Sequence, residues 1–398
     1  MTDKSLSYET IKETAVKLWQ YCQKNNFTGY DPYDALNSRL LKIMPWAKSR
    51  LFRLSFTQGM KRLPINLRPL LMIPKTQNPK ALAIFLKAAL KLTESGVIDA
   101  SEQISYLIKR IAELRSAGLP CYCWGYSFPW QTRTFLVPRS APNLVCTVFV
   151  ADALLDAYEA TKNTQCLEMA KSAADYILNE LYWSDNDSSG FSYPWPSNRV
   201  HIYNADFLGA ALLSRISHLT GDKHFLEPAL KVTRYAASKQ NDDGSWYYGE
   251  STESKWIDNF HTGYNLLALK DISRYAETDE FKEPIKKGFG FYLANFFEKD
   301  GAPRYYHNKT CPIDIHCVAQ SIITLEAFKD MDETNHQKAK TTLNWAMNNM
   351  WNKSGYFYYQ IHRLYTNRIS YMRWSQAWML LALSSLIERA DSIKNSNS

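Results

Sequence analysis

The feature that most constrains this chain is a repeat of about 56 residues. Gly190, Gly244, Gly301 and Gly355 are spaced by 54, 57 and 54 positions, and each opens an aromatic turn: GFSYPW, GSWYYG, GAPRYY and GYFYYQ. An apolar run of helical period follows each turn, beginning IYNADFLGAALL, DNFHTGYNLLAL, DIHCVAQSIITL and RWSQAWMLLAL. CYCWGYSFPWQ followed by APNLVCTVFVADALL is an earlier, looser copy. After each apolar run comes a polar turn and a second, amphipathic run, with Glu168, Glu227 and Glu283 in register. A unit of this kind is a helical hairpin that cannot bury its apolar face alone, so neighbours must stack.

Periodicity predicts two sets of helices. The apolar set falls near 79–93, 141–161, 201–219, 257–275, 312–328 and 369–389. The amphipathic set falls near 7–24, 101–116, 165–182, 223–239, 279–297 and 334–351. Helices apolar all round belong inside, and helices with one wet face belong outside. Six of each predict an all-α (α/α)6 toroid of six helical hairpins with aromatic-rich rim loops, the first amphipathic helix pairing with the last apolar one. No linker rich in Gly, Ser or Pro divides the chain, so residues 1–398 read as one domain with an irregular basic excursion at about 25–78. Only the tail, DSIKNSNS, reads as frayed.

Charge is uneven. The net charge is +8, yet no acidic residue lies between Asp34 and Glu94. That stretch holds 12 of the 47 Lys and Arg, so the remainder, with all 39 Asp and Glu, is net −4. Its centre, residues 39–75, mixes cations with Trp, Phe, Leu and Met, a composition for peripheral contact with an anionic membrane or for docking an acidic glycan, and equally for a solvated basic face. No nucleic-acid motif accompanies it. No run reaches the roughly 18 apolar residues of a membrane span. MTDKSLSYET has no apolar core of a signal peptide. Seven scattered Cys, with one CxC pair at Cys121 and Cys123, point to reduced thiols in a cytoplasmic protein, with neither a metal nor another cofactor implied.

In such a toroid the aromatic loops reach one end, where the apolar helices begin. Their free N–H groups favour oxygen-rich ligands there. Aligned on Leu212, Leu269, Leu325 and Leu383, positions Asn204, His261, Cys317 and Ser375 are equivalent. Asp258 lies three residues before His261, so the two can share a helical face. Asp314, His316 and Arg373 lie near other helix starts, and Asp31 and Asp34 follow the first amphipathic helix. Singly, Asp258 and Asp314 suit helix capping, His261 a core histidine, Asn204 a structural hydrogen bond, and Glu250 a plain loop position. Together they converge on one rim. Trp130, Trp195 and Trp246, with Trp124, Tyr126, Tyr247, Tyr305, Tyr306, Tyr358 and Tyr359, would supply flat faces for stacking on a sugar chain.

The twelve-helix alternation, the LTGDKHFLEPAL turn and WIDNFHTGY are similar to the six-hairpin glycosidase-like (α/α)6 barrels over most of residues 79–390. More narrowly, the chain resembles bacterial proteins encoded with exopolysaccharide and surface-glycan genes. The resemblance implies a carbohydrate-active fold and a role around polysaccharide biosynthesis. That superfamily holds glycoside hydrolases, unsaturated-uronyl hydrolases and N-acylglucosamine epimerases, with polysaccharide lyases on related toroids. No complete catalytic signature of any one of them is present. QNDDGSW at 240–246 is similar to a motif of triterpene cyclases, but their DxDD acid motif is missing.

Three readings follow, each with an oligosaccharide or polysaccharide as partner. A glycoside hydrolase needs two carboxyl groups; Asp258 and Asp314 are the leading pair, with Glu250 and Asp34 in reserve. An epimerase or lyase moves a proton beside a carbonyl and would use His261 and His316, or Asn259, His261, Tyr264 and Arg373. A non-catalytic glycan-binding or assembly factor would use the same rim to bind only.

Overall fold

The computed structural model describes residues 6–132, 135–185 and 187–396. The residues MTDKS, Asn397 and Ser398 lie outside the described residues, and with them part of the sequence readings of the start and the tail. Among the described residues, thirteen α-helices order the chain. Six form an inner ring: α3 (Pro79–Glu94), α5 (Leu144–Thr161), α7 (Tyr203–Thr220), α9 (Asn259–Tyr275), α11 (Ile315–Ala327) and α13 (Trp378–Ser396). Each packs on the next, and α13 packs back on α3, which closes the ring. Six more lie outside: α1 (Tyr8–Lys24), α4 (Ser101–Glu113), α6 (Thr164–Tyr176), α8 (Leu226–Ser238), α10 (Lys282–Asn295) and α12 (Thr334–Met350). Each outer helix packs on its inner partner, and α1 packs on α13. This is an all-helical (α/α)6 toroid.

Its energetics follow from the pattern. The inner helices bury residues on every side; in α3, residues 79 to 86 are all buried, from Pro79 to Leu86. The outer helices bury one stripe, such as Ile104, Leu107, Ile108 and Ile111 of α4. Asn or Asp starts four inner helices by accepting from a first-turn N–H: Asn78 from Lys80, Asn143 from Cys146, Asp258 from His261 and Asp314 from His316. Such caps stabilise a helix by about 1 kcal/mol each. Several inner helices therefore begin two or three residues later than periodicity alone predicts, because the cap itself is extended.

The loops carry short antiparallel ribbons that fix the rim, such as Ile313–Asp314 against Gln360–Ile361. Gly244, Gly301 and Gly355 take φ near +90°, while Gly190 lies in a strand pair. At Gly244 a Cβ would meet the Lys287 carbonyl oxygen at 2.4 Å, so that turn needs glycine.

The excursion differs from the irregular segment that the sequence predicts. It contains a helix, α2 (Arg50–Arg62), over a small core of Ala35, Met60 and Ile73. The tail also differs: α13 runs on to Ser396. All seven cysteines are free thiols.

Candidate functional site

The inner helices deliver their first turns into one hollow of about 320 Å³. All six contribute: Lys80, Val145, Asn204, His261, His316 and Arg373 line it, one from each helix or its leading turn. Aromatic loop residues make the walls, among them Tyr33, Tyr126, Trp130, Tyr193, Tyr248 and Trp256. The residues that the sequence places at a common bowl therefore share one, with exceptions given below.

Asp258 does two jobs. Its Oδ1 accepts from the His261 backbone N–H at 3.0 Å, which caps α9. Its Oδ2 lies 2.8 Å from His261 Nδ1 and accepts from Trp256 Nε1 at 3.2 Å. This fixes the imidazole and leaves Nε2 without a partner among the described residues. A carboxylate on Nδ1–H sets the tautomer in which Nε2 is a base.

His316 sits deeper. Its Nε2 is 2.6 Å from the Tyr264 hydroxyl, and its buried Nδ1 has no partner among the described residues. Burial, with Lys80, Arg373 and His261 adding positive potential, holds its pKa well below the ordinary imidazole value. Burial likewise keeps Tyr264 a phenol, well above its usual range. The Phe260 ring lies 4.2 Å from His261 and 4.8 Å from His316, centroid to centroid. One apolar wall thus separates two imidazoles.

Two cations reach the same hollow. Arg373 is buried and held by both oxygens of Asp31, at 2.6 and 2.9 Å. Burial opposes its charge, but Asp31 more than offsets this and raises its pKa. Among the described residues Lys80 forms no ion pair with an acid. Its Nζ stands 3.7 Å over the Phe149 ring, and burial, then Arg373, push its pKa well below the usual value. Beyond Phe149, Tyr264 and Trp378 a second, smaller cavity of about 170 Å³ continues towards Lys87, Asp152, Arg215 and Asp271.

Several candidates do not line the hollow. Asp314 is fully buried, caps α11, and accepts from Trp374 Nε1 at 2.9 Å and from Gln360. Burial raises it to about 6 against these donors. Asp34 is bonded to Arg68 at 2.7 Å within the excursion. Glu250 is exposed beside Tyr235 and Lys239. Asn259 is buried against Ser321 and Tyr292. Trp195 stands outside, near Phe135. Trp246 is core: its Nε1 donates to the Ala236 carbonyl, as Trp124 donates to Ile111. These two Trp tie an outer helix end to the next turn, a packing role that aromatic content alone does not distinguish from sugar stacking.

The leucine alignment also shifts. Asn204 and His261 line the hollow, but Cys317 and Ser375 do not; His316 and Arg373 take their place. The cap-to-histidine spacing is three residues in α9 and two in α11, and Met372–Ala377 lead into α13 as a π-turn. A one-residue slip turns a helical side chain by about 100°. Lys80 escaped the sequence reading; its signal was a lysine in the first turn of an inner helix, followed by the apolar run from Ala81 to Leu86.

No family model and no curated protein matches the chain. Solved structures do. A GH76 α-mannanase from Bacteroides thetaiotaomicron superposes with TM-score 0.61 and 14% identity, over 79% of this chain and 86% of that one. Cellobiose 2-epimerase from Bacillus thermoamylovorans gives TM-score 0.62 and 12% identity, over 79% and 88%. Unsaturated glucuronyl hydrolase from Streptococcus agalactiae gives 0.61 and 12%, over 97% and 92%. At such identities the likeness is one of fold: the chain shares the (α/α)6 toroid of these structures.

Proposed function

We propose that this protein is a sugar epimerase or isomerase, acting on the carbon beside the carbonyl of an open-chain saccharide. The observation that supports this reading is the make-up of the hollow. It holds two imidazoles, one fixed by Asp258 and one bonded to Tyr264, but a single carboxylate among the described lining residues. A hydrolase of the paired-carboxyl kind needs two carboxyl groups flanking the scissile bond. Asp314, the partner that the sequence suggests, is sealed under Trp374 and Gln360. The fold is also that of cellobiose 2-epimerase, among others.

In this reading His261 Nε2 takes the proton from the carbon next to the carbonyl. The C–H electron pair becomes the C=C bond of an enediolate, and the carbonyl oxygen gains the negative charge. Arg373 offsets that charge in a site of low dielectric, and the Lys80 amine donates a hydrogen bond to the same oxygen. The Tyr264 hydroxyl, backed by His316, returns a proton to the same carbon from the other face, giving the epimer, or to the former carbonyl carbon while the neighbouring hydroxyl proton moves to the old carbonyl oxygen, giving the isomer; the proton held by His261 then passes through solvent to the Tyr264 phenolate. No oxidant or co-substrate enters the balance. The aromatic walls stack on the remaining sugar.

The test is a screen of reducing mono- and disaccharides in D₂O, followed by proton NMR. The reading expects loss of the H2 signal and growth of an epimer or ketose. His261→Ala and His316→Ala should each slow exchange by roughly 10²–10⁴-fold. New reducing ends from cleaved oligosaccharides, without deuterium uptake, would overturn it in favour of a hydrolase.

A further inference from the structure

The excursion across the rim differs from the rest of the surface in two ways at once. Of the twelve exposed large apolar side chains among the described residues, six lie within it: Ile43, Leu51, Leu63, Ile65, Leu70 and Met72. Leu70 is 74% exposed and Ile65 67%. The second difference is charge. No acidic residue occurs from 35 to 93, and the nearest, Asp34, is buried against Arg68. Arg39, Lys48, Arg62 and Lys75 are exposed and form no ion pair among the described residues.

A neighbouring hairpin extends the patch. The Tyr365 hydroxyl donates to the Arg62 carbonyl at 2.9 Å, and Asn367 Nδ2 donates to the Leu63 carbonyl at 2.9 Å. That hairpin shows Leu364, which is 91% exposed, between exposed Arg363 and Arg368. Exposed aliphatic groups interleaved with cations, and without acids, fit the boundary between lipid headgroups and acyl chains. Scattered exposed Leu or Ile is ordinary, but a concentration of this kind marks an interaction surface.

We propose that residues 39–75 and the hairpin tip at 362–368 form a docking surface for an anionic phospholipid leaflet, which the protein binds peripherally. The surface adjoins the hollow. Lys61 of α2 donates to the Tyr33 hydroxyl at 2.8 Å, and Arg53 donates to Gln131, next to Trp130, at 2.7 Å. Both Tyr33 and Trp130 line the hollow. A docked molecule therefore holds its sugar site at the membrane face, where lipid-carried or membrane-tethered saccharides are found. Among the described residues no helix is long and apolar enough to cross a membrane, so the contact is one of surface.

Co-sedimentation of the full chain with vesicles tests this. Vesicles of equal parts phosphatidylserine and phosphatidylcholine should carry the protein down at low salt, and phosphatidylcholine alone should not. The double variant Arg62→Glu/Lys75→Glu should weaken partitioning by at least about tenfold, since each cation near such a surface contributes on the order of fivefold. Ile65→Ser/Leu70→Ser should weaken it too, and all four positions are exposed, so melting curves should match the parent. Three results would overturn the proposal. One is no sedimentation with either vesicle. Another is binding unmoved by the apolar variant, which marks a charge-only site for a soluble acidic glycan. The last is self-association by analytical ultracentrifugation that Ile65→Ser/Leu70→Ser abolishes, which marks an interface between copies.

Discussion

Asp31 and Arg373 are 342 residues apart in sequence and form a bidentate pair, Oδ2 to Nε at 2.6 Å and Oδ1 to Nη2 at 2.9 Å. Asp31 follows the first outer helix and Arg373 leads into the last inner one, so the pair joins the two ends of the ring beneath the hollow. Both side chains are buried. Removing one partner leaves the other charge uncompensated. Asp31→Ala should destabilise the fold by about 3–5 kcal/mol, read from urea unfolding. A variant with unchanged midpoint would mean that solvent already reaches the guanidinium.

Asp258→Asn separates capping from chemistry. Asn is as good a cap as Asp, so α9 should keep its start. With the amide oxygen kept on the cap, its nitrogen takes the Oδ2 position, where it faces both His261 Nδ1 and Trp256 Nε1. The imidazole loses the tautomer that leaves Nε2 basic. Stability should change by about 1 kcal/mol, while the deuterium exchange rate falls by roughly 10²-fold or more. Equal loss of both, tracked by calorimetry and NMR, would assign Asp258 to structure alone.

The pH dependence of stability has a sign that His316 sets. Its folded pKa is below the unfolded value of 6.5, so below that pH the unfolded chain binds a proton that the native site refuses. Stability contributed here is whole above pH 6.5 and is lost as pH falls through it. Asp314 acts oppositely: raised from 3.8 to about 6, it favours the folded state most below pH 3.8, and that advantage is lost as pH rises through 6. Between pH 7 and 5, His316→Gln should therefore lose less stability than the parent. Parallel urea midpoints across that range would refute this.

Gly244 closes the turn between α8 and α9 at φ +91°, with its missing Cβ aimed at the Lys287 carbonyl oxygen. Gly244→Ala combines a left-handed backbone with a steric clash. A loss of about 2 kcal/mol or more is expected, visible as a lower thermal midpoint. An unchanged midpoint would show that α10 can move aside.

Glu250 lies on the outer surface beside Tyr235 and Lys239. Glu250→Gln should leave turnover within about twofold and stability within about 0.5 kcal/mol. A large loss of rate would return this carboxylate to the site and reopen the hydrolase reading.

Fold was legible in the sequence because its signals are periodic and local. Leucines recurring through α7, α9, α11 and α13 mark an inner wall, and the spaced glycines mark its corners. The site was legible in part. His261, His316, Asn204, Tyr264, Arg373 and Trp130 reach the hollow as the helix starts suggest. Asp314, by contrast, looked like Asp258, since each stands just before a helix with a histidine close behind. The side chains that cover Asp314, Gln360 and Trp374, lie 46 and 60 residues away in sequence. Trp246 looked like a sugar platform because an indole buried under Gly288 has the same residue type as one facing a ligand.

The sequence by itself determined that helices pair, that apolar ones lie inside, and that their polar leading ends share one rim, because burial period and capping act within a few residues. Only the tertiary structure decided which polar groups face the hollow. It left Lys80 without an ion pair among the described residues, tied His316 to Tyr264, and closed Asp314 off from the hollow. Those outcomes depend on contacts across the ring, where a rotation of about 100° between neighbouring positions turns a reactive group into a structural one.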